Sequence, residues 1–397
     1  MGNKGKRTDS DIGIPIKKRE GINWLSLIIL MVFYAGTWTF AWFYHVTEIY
    51  NTSIVFVALI LLFFNNVPWV QRLKAKDPML IALIATLAVA IVNLFIIGSN
   101  KGCFLILADF CLILYLAPEL RFTALQQKAL EIFFLIMFIS WFLYDRTYSY
   151  NANTGATVTV FTLFGAMVLL TKITEKRELF GFFTVIAVLR TLTLVLWHLA
   201  RGAFIALAVF LILYYLVPAS FWEKKVFYYF LMFFSTFGSL MFVAFYVWMG
   251  STGFNMKLPF FYKNIFSGRE QIWYEVWEML HTRLLTGIGS GFRLKSFFEY
   301  NIHNAMYDIL AVHGIIVFAG MIFLIIKRLL AFRPVGINTE KEGQQFNSRS
   351  KRQILVLSAI FAIFIESFID MDLMWADYSP LLLFLFYIAF QEKARNG

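Results

Sequence analysis

The chain has 397 residues, of which 60% are hydrophobic, 19% aromatic and only 15% charged, and its mean hydropathy of +0.70 excludes a soluble globular domain. The formal net charge is +11, but the basic residues are spread over short connections rather than gathered in one stripe. That argues against nucleic-acid binding and for contact with anionic lipid headgroups.

Residues 1–21 read as a basic tail. Its Met-Gly start fails the myristoylation pattern because Lys6 stands where Ser or Thr is needed. The apolar run after it is too long, and lacks the small-residue cleavage site, for a removable signal peptide. A membrane-crossing helix needs about 20 mainly apolar residues. Twelve such runs follow, at 22–45, 51–68, 78–98, 102–117, 129–144, 154–171, 180–200, 202–217, 226–249, 305–326, 353–369 and 377–391. Several are short for a full crossing, which implies tilted or broken helices. The class expected is an all-α polytopic membrane protein of about twelve transmembrane helices. It forms one membrane domain over 22–391, with a tail at 392–397 and one large extracytoplasmic loop at about 250–304. Of the 35 Lys and Arg residues, 25 fall on the termini and one set of alternate connections, while nine fall on the other set. The positive-inside rule then places both termini in the cytoplasm and the long loop outside.

Cys103 and Cys111 lie in one span, too far apart along a helix to be bridged. The five histidines are scattered singly, without H-E-x-x-H or an Asp-rich pair, so no metal site is expected. No repeat of fixed period is present, and the one other polar interruption is the loop near 327–352.

Arg190 falls within the seventh span, where a guanidinium must find a partner, snorkel, or line a wet cavity that holds an anion. Arg201 opens the next span as Arg-Gly-Ala, at a helix amino end whose N–H groups already favour an anion. In the long loop, Ser267 and Glu270 have capping-box spacing, and Ile272, Trp273, Val276, Trp277, Leu280 and Leu284 share one helical face. This predicts an amphipathic helix on the bilayer with both tryptophans at headgroup level. Arg269 stands in its first turn, against the helix dipole, which suggests an anion held there. Gly287, Gly289 and Gly291 alternate in TGIGSGF, either as a nest of amides for a phosphate or as a chain reversal. His303 opens the tenth span at its outer rim, where imidazole can take a proton from a hydroxyl. Asn304, Tyr307 and Asp308 follow within about a helical turn and could orient its ring, while His313, deeper and before Gly314, reads as packing. Glu366, Asp370, Asp372 and Asp377 crowd the last outward loop, where they could bind sugar hydroxyls, pair with arginines or be solvated.

The order Arg-Gly-Ala (201–203), Ser-Gly-Arg with Trp273 (267–273), Gly-x-Gly-x-Gly (287–291) and His-Asn (303–304) resembles the O-antigen ligase and O-antigen polymerase superfamily. The likeness covers about residues 185–330. It implies a membrane glycosyltransferase whose donor is an undecaprenyl-diphosphate-linked glycan and whose acceptor is a glycan or glycolipid. It implies no cofactor, no nucleotide sugar and no metal, and other polysaccharide-assembly proteins as partners. Carried across, Arg201 and Arg269 hold the donor diphosphate, His303 activates the acceptor hydroxyl with inversion at the anomeric carbon, and Arg190 and Arg293 are secondary donor ligands. A ligase transferring finished chains to lipid A core would use the same residues. The basic tail points to a Gram-positive source without lipid A and so to the polymerase. A transporter or flippase is the alternative of another class, but its site would lie near the midplane with repeats in both halves.

Overall fold

The computed structural model describes residues 16–47, 50–145, 150, 152–176, 181–254, 256–257, 266–295, 301–334 and 348–396. Most of the basic tail, the polar loop at 335–347 and the parts of the long loop at 255, 258–265 and 296–300 lie outside the described residues.

Among the described residues the protein is all helical, without a strand. The helices are α1 (Ile16–Thr39), α2 (Ala41–Thr47), α3 (Asn51–Asn66), α4 (Trp69–Lys74), α5 (Pro78–Ile97), α6 (Lys101–Leu116), α7 (Ala124–Leu143), α8 (Ala152–Lys176), α9 (Gly181–Trp197) and α10 (Arg201–Leu211). Then come α11 (Ala219–Glu223), α12 (Lys225–Ser251), α13 (Arg269–Leu280), α14 (Ala305–Phe332), α15 (Ser348–Glu366) and α16 (Ser379–Asn396). Each of the twelve apolar segments is thus helical. The first, however, begins inside the expected tail and breaks at Phe40 into α1 and α2.

Among the described residues, six helices are long and apolar enough to cross a membrane: α1 from Arg19, α5, α7, α8 from Asn153 to Thr174, α12 and α14. A seventh is added if α2 and α3 form one bent span. The others fall short for identifiable reasons. α3, α6 and α9 have 16, 16 and 17 residues, fewer than a full crossing needs. α10 passes into a π-helical turn over Ile212–Leu216, α15 opens on SRSKRQ, and α16 closes on QEKARN.

The centre of the bundle is α15 and α16, buried along nearly all their described side chains, with α8 and α10 against them. Apolar residues on every face are what a central helix requires. The connections at 98–100, 198–200 and 367–378, with the described parts of the long loop at 266–295 and 301–304, collect at one end, because neighbouring helices pack side by side. Arg72, paired with Asp77 and Glu119, and Arg352, paired with Glu392, lie at the opposite end.

α14 is broken at Gly314, whose φ of 80° and ψ of 173° belong to a region open essentially to glycine alone. The freed backbone groups find partners in the loop after α13. Ile288 N–H donates to Ala311 O at 2.7 Å, Gly289 N–H to Val312 O at 3.2 Å, and Ile315 N–H to Leu284 O at 2.8 Å. Asn93 Nδ2 reaches His313 O at 2.9 Å. A broken helix at membrane depth is tolerated only when its backbone is satisfied in this way. Gly287 (φ 79°) crosses so near that an added Cβ would stand 2.6 Å from Gly314 N. Gly314→Ala is therefore expected to destabilise the protein by about 1–3 kcal/mol from backbone strain alone. A fall in the thermal unfolding midpoint of the purified protein checks this, and an unchanged midpoint contradicts it.

Candidate functional site

Four elements deliver polar side chains to the end of the bundle where the connections collect. α10 supplies Arg201, α13 supplies Arg269, the turn before α14 supplies His303, and the segment after α15 supplies Asp370 and Asp372. α8 adds Asn153 and Thr157.

Arg201 and Arg269 line one small pocket together with Asn153, Thr157, Gly202 and Asp370. Two guanidiniums at one pocket repel each other unless an anion lies between them. Burial, followed by the nearby Arg269, lowers the pKa of Arg201 from its ordinary value. Asp370 gives part of the compensation. Its Oδ2 is 3.9 Å from Arg269 Nη2, and its Oδ1 is 3.5 Å from His303 Nδ1. Met371 N–H also donates to Oδ1, at 3.0 Å. Burial works to raise the Asp370 pKa, but His303, then Arg269 and the Met371 amide, outweigh it and hold the carboxyl below the usual range.

His303 is fixed from both sides. Trp273 is 1% exposed, and its Nε1–H donates to Ile302 O at 2.6 Å. Tyr307 Oη–H donates to Trp273 O at 3.0 Å, which ties α13 to α14. On the other side, Ala305 N–H donates to Ser367 O and Asn304 Nδ2 to Phe368 O, so the start of α14 is laced to the segment bearing Asp370. His303 has φ 51° and Leu199, two residues before Arg201, has φ 53°. These are two of the three non-glycine residues with positive φ among the described residues. Each such conformation costs on the order of 1–3 kcal/mol and persists only where surrounding structure imposes it.

Glu366 is fully buried at the end of α15, facing Gly202, where an added Cβ would stand 3.0 Å from Oε1. Neither of its oxygens has an N–H or hydroxyl partner among the described residues, and Asp372 is its neighbour. Burial, then Asp370, pushes the Asp372 carboxyl well above its ordinary range, as expected for a buried acid beside another carboxylate. Glu366, Asp370 and Asp372 can bring one oxygen each within 4.8 Å of the others. They are the residues that could hold a divalent cation, a cluster the sequence reading did not expect. The raised pKa of Asp372 has a consequence for stability. Its unfolded form ionises near the ordinary value, about 3.9, while the folded form retains its proton, so this residue costs stability as pH rises above that value. Asp372→Asn removes the penalty: its unfolding midpoint relative to wild type is expected to be higher at pH 7 than at pH 4. Equal differences at both pH values contradict the assignment.

The other sequence candidates are placed differently. Asn304 is a fully engaged helix cap, accepting from Tyr307 N–H at 2.8 Å and Ser239 Oγ–H at 2.9 Å, so it does not orient His303. Tyr307 is committed to Trp273, and Asp308 faces Cys103 of α6. Arg190 Nε reaches Phe142 O at 3.5 Å and does not line the pocket, and Arg293 is exposed. The amides of Gly287, Ile288 and Gly289 donate to backbone carbonyls, so the phosphate-nest reading is replaced by helix packing, while Gly291 has nothing near its Cβ position. The capping box at Ser267 and Glu270 does not form, because Gly268 in a left-handed conformation (φ 89°) caps α13. Of the expected interfacial tryptophans, Trp273 is core and Trp277 is 47% exposed.

Asp370 was undecided by sequence, although acids so dense beside an apolar span were the signal that they are held inside. His198, paired to Asp145 at 2.8 Å beside the Arg201 turn, was missed. Comparison with known protein families, curated proteins and solved structures finds no match.

Proposed function

We propose that this chain is a membrane glycosyltransferase of the O-antigen polymerase and ligase type. It acts at the outer face of the bacterial cytoplasmic membrane and polymerises polysaccharide repeat units carried on undecaprenyl diphosphate. In this reading the twelve apolar helices all cross the membrane, both termini are cytoplasmic, and the end that carries Arg201, Arg269 and His303 faces outward. The observation that carries the proposal is the pairing of Arg201 and Arg269 on one pocket, beside a His303–Asp370 pair.

The chemistry follows from the leaving group. As the acceptor oxygen bonds to the anomeric carbon, the bond from that carbon to the phosphate oxygen breaks and negative charge grows on the diphosphate. Preorganised guanidiniums stabilise that charge, and their planar forks match phosphate oxygens. A lipid tail in the bilayer holds the diphosphate at headgroup height, the level assigned to both arginines. His303, whose Nδ1 faces Asp370 Oδ1 at 3.5 Å, takes the acceptor proton at Nε2. Attack opposite the leaving group inverts the anomeric centre.

The test gives the purified protein an undecaprenyl-diphosphate-linked repeat unit, with and without a separate glycan acceptor. A ladder from the repeat unit alone supports polymerisation. Product only with the second acceptor identifies a ligase and overturns the polymerase assignment. Absence of turnover overturns the enzyme reading in favour of a transporter.

A further inference from the structure

A second cavity, of about 540 Å³, opens at the same end of the bundle, away from both arginines. Its lining comes from the start of α3 (Asn51), the start of α6 (Asn100, Lys101), Tyr44 of α2, and the segment leading into α16 (Trp375, Asp377). That segment continues directly from Asp370 and Asp372, and Asn100 N–H donates to Ser290 Oγ at 2.7 Å, in the loop that docks on the broken α14. The cavity is therefore joined by the chain to the segment that holds the carboxylates of the candidate site.

The lining has the chemistry of a carbohydrate site. Sugar rings present flat C–H faces, which pack on aromatic rings, and rims of hydroxyls, which need groups able to donate and accept. Trp375 and Tyr44 are both half-buried, and Tyr44 is braced by Trp38 at a ring separation of 6.1 Å. Asn51 Nδ2 meets the two Asp377 oxygens only at 3.4 and 3.5 Å, long contacts that a sugar hydroxyl can replace. Asp377 itself is 3% exposed. Asn100 accepts from Gly102 N–H through Oδ1, which leaves its Nδ2 protons for a ligand. The volume falls in the range of small-ligand sites, about 300–1,000 Å³. The charges decide between a sugar and a phosphate: one ammonium at the rim (Lys101) is balanced by one buried carboxylate (Asp377), unlike the paired cations of the other pocket.

We infer that this cavity binds an uncharged glycan segment, the acceptor chain, and presents its hydroxyl end to His303. The inference rests on the glycosyltransferase reading for the acceptor role, while the sugar binding itself is independent of it. The test is saturation-transfer NMR on the full chain in lipid nanodiscs, free of glycoside detergents that would compete. The probes are methyl β-D-glucopyranoside, methyl β-D-galactopyranoside, N-acetyl-D-glucosamine and cellobiose. At least one probe is expected to give transfer. That signal should fall roughly fivefold to tenfold in Trp375→Ala, the size expected for loss of an aromatic partner, and in Ser53→Trp, whose ring fills the cavity that Ser53 of α3 lines. It should persist in Arg269→Ala. If Trp375→Ala does not fold, Ser53→Trp decides. Transfer from no probe, or transfer unchanged in Ser53→Trp, overturns the inference and leaves the cavity to lipid. Failure of the donor reading shows itself separately, as turnover that survives loss of Arg201 and Arg269.

Discussion

Arg269→Ala and Arg201→Ala are each expected to lower release of lipid diphosphate from the donor by roughly 100-fold to 1,000-fold, the loss seen when one preorganised charge-stabilising donor is removed. The double variant should lose less than the product of the two, because both side chains face one pocket and act on one leaving group. Arg269→Lys keeps the charge but not the bidentate fork, so it should recover only part of the rate. Arg293→Ala is the control, since Arg293 is exposed and does not line the pocket. Steady-state turnover with a defined lipid-linked donor reads all five variants. A full rate in either alanine variant contradicts the diphosphate assignment.

The second large effect concerns the proton. His303→Ala should lower turnover by roughly 100-fold to 10,000-fold, the range associated with a general base. Asp370→Asn should cause a smaller loss with a diagnostic pH behaviour. Asp370 is held below the ordinary carboxylate range, so in the folded wild type it is already ionised at pH 6. A deficit of Asp370→Asn relative to wild type should therefore be present at both pH 6 and pH 8. It should shrink only as pH falls below about 4, where the native carboxyl takes up its proton. Disappearance of the deficit at pH 6 would mean that Asp370 already carries a proton there and is not held ionised by its neighbours.

The sequence made the helices legible and left the site half drawn, for physical reasons that particular residues illustrate. Apolar runs are a local signal, so all twelve segments coincide with helices to within a few residues at most ends. Which of them are long and unbroken enough to be candidate crossings was not a local signal. The break between α1 and α2 and the kink at Gly314 depend on what docks against them, such as the loop at 284–289 satisfying α14. The face of α13 was readable from its period, and Ile272, Val276 and Leu280 are buried as expected. Periodicity does not say whether that face meets lipid or protein, so Trp273, a hydrogen-bonded core residue, was taken for an interfacial one. Alternating glycines fit an anion nest equally well as a close backbone crossing; Gly287 against Gly314 is the crossing. Arg269 stood out because it opposes the helix dipole, and Arg201 because it opens a span at a helix amino end. Asp370 could not be matched with His303 from sequence, because that contact depends on the lacing of Ala305 to Ser367 and of Asn304 to Phe368.

The two arginines and the carboxylate cluster offer two different ways to stabilise a diphosphate, by guanidinium or by a bound cation, and one measurement separates them. Purified protein is incubated with an undecaprenyl-diphosphate-linked repeat unit in excess EDTA, and released undecaprenyl diphosphate is quantified for the wild type and for Arg201→Ala/Arg269→Ala. Undiminished release by the wild type, and its loss in the double variant, is the expected result. Release that EDTA abolishes, or that the double variant retains, would contradict the central claim that these two guanidiniums hold the leaving group.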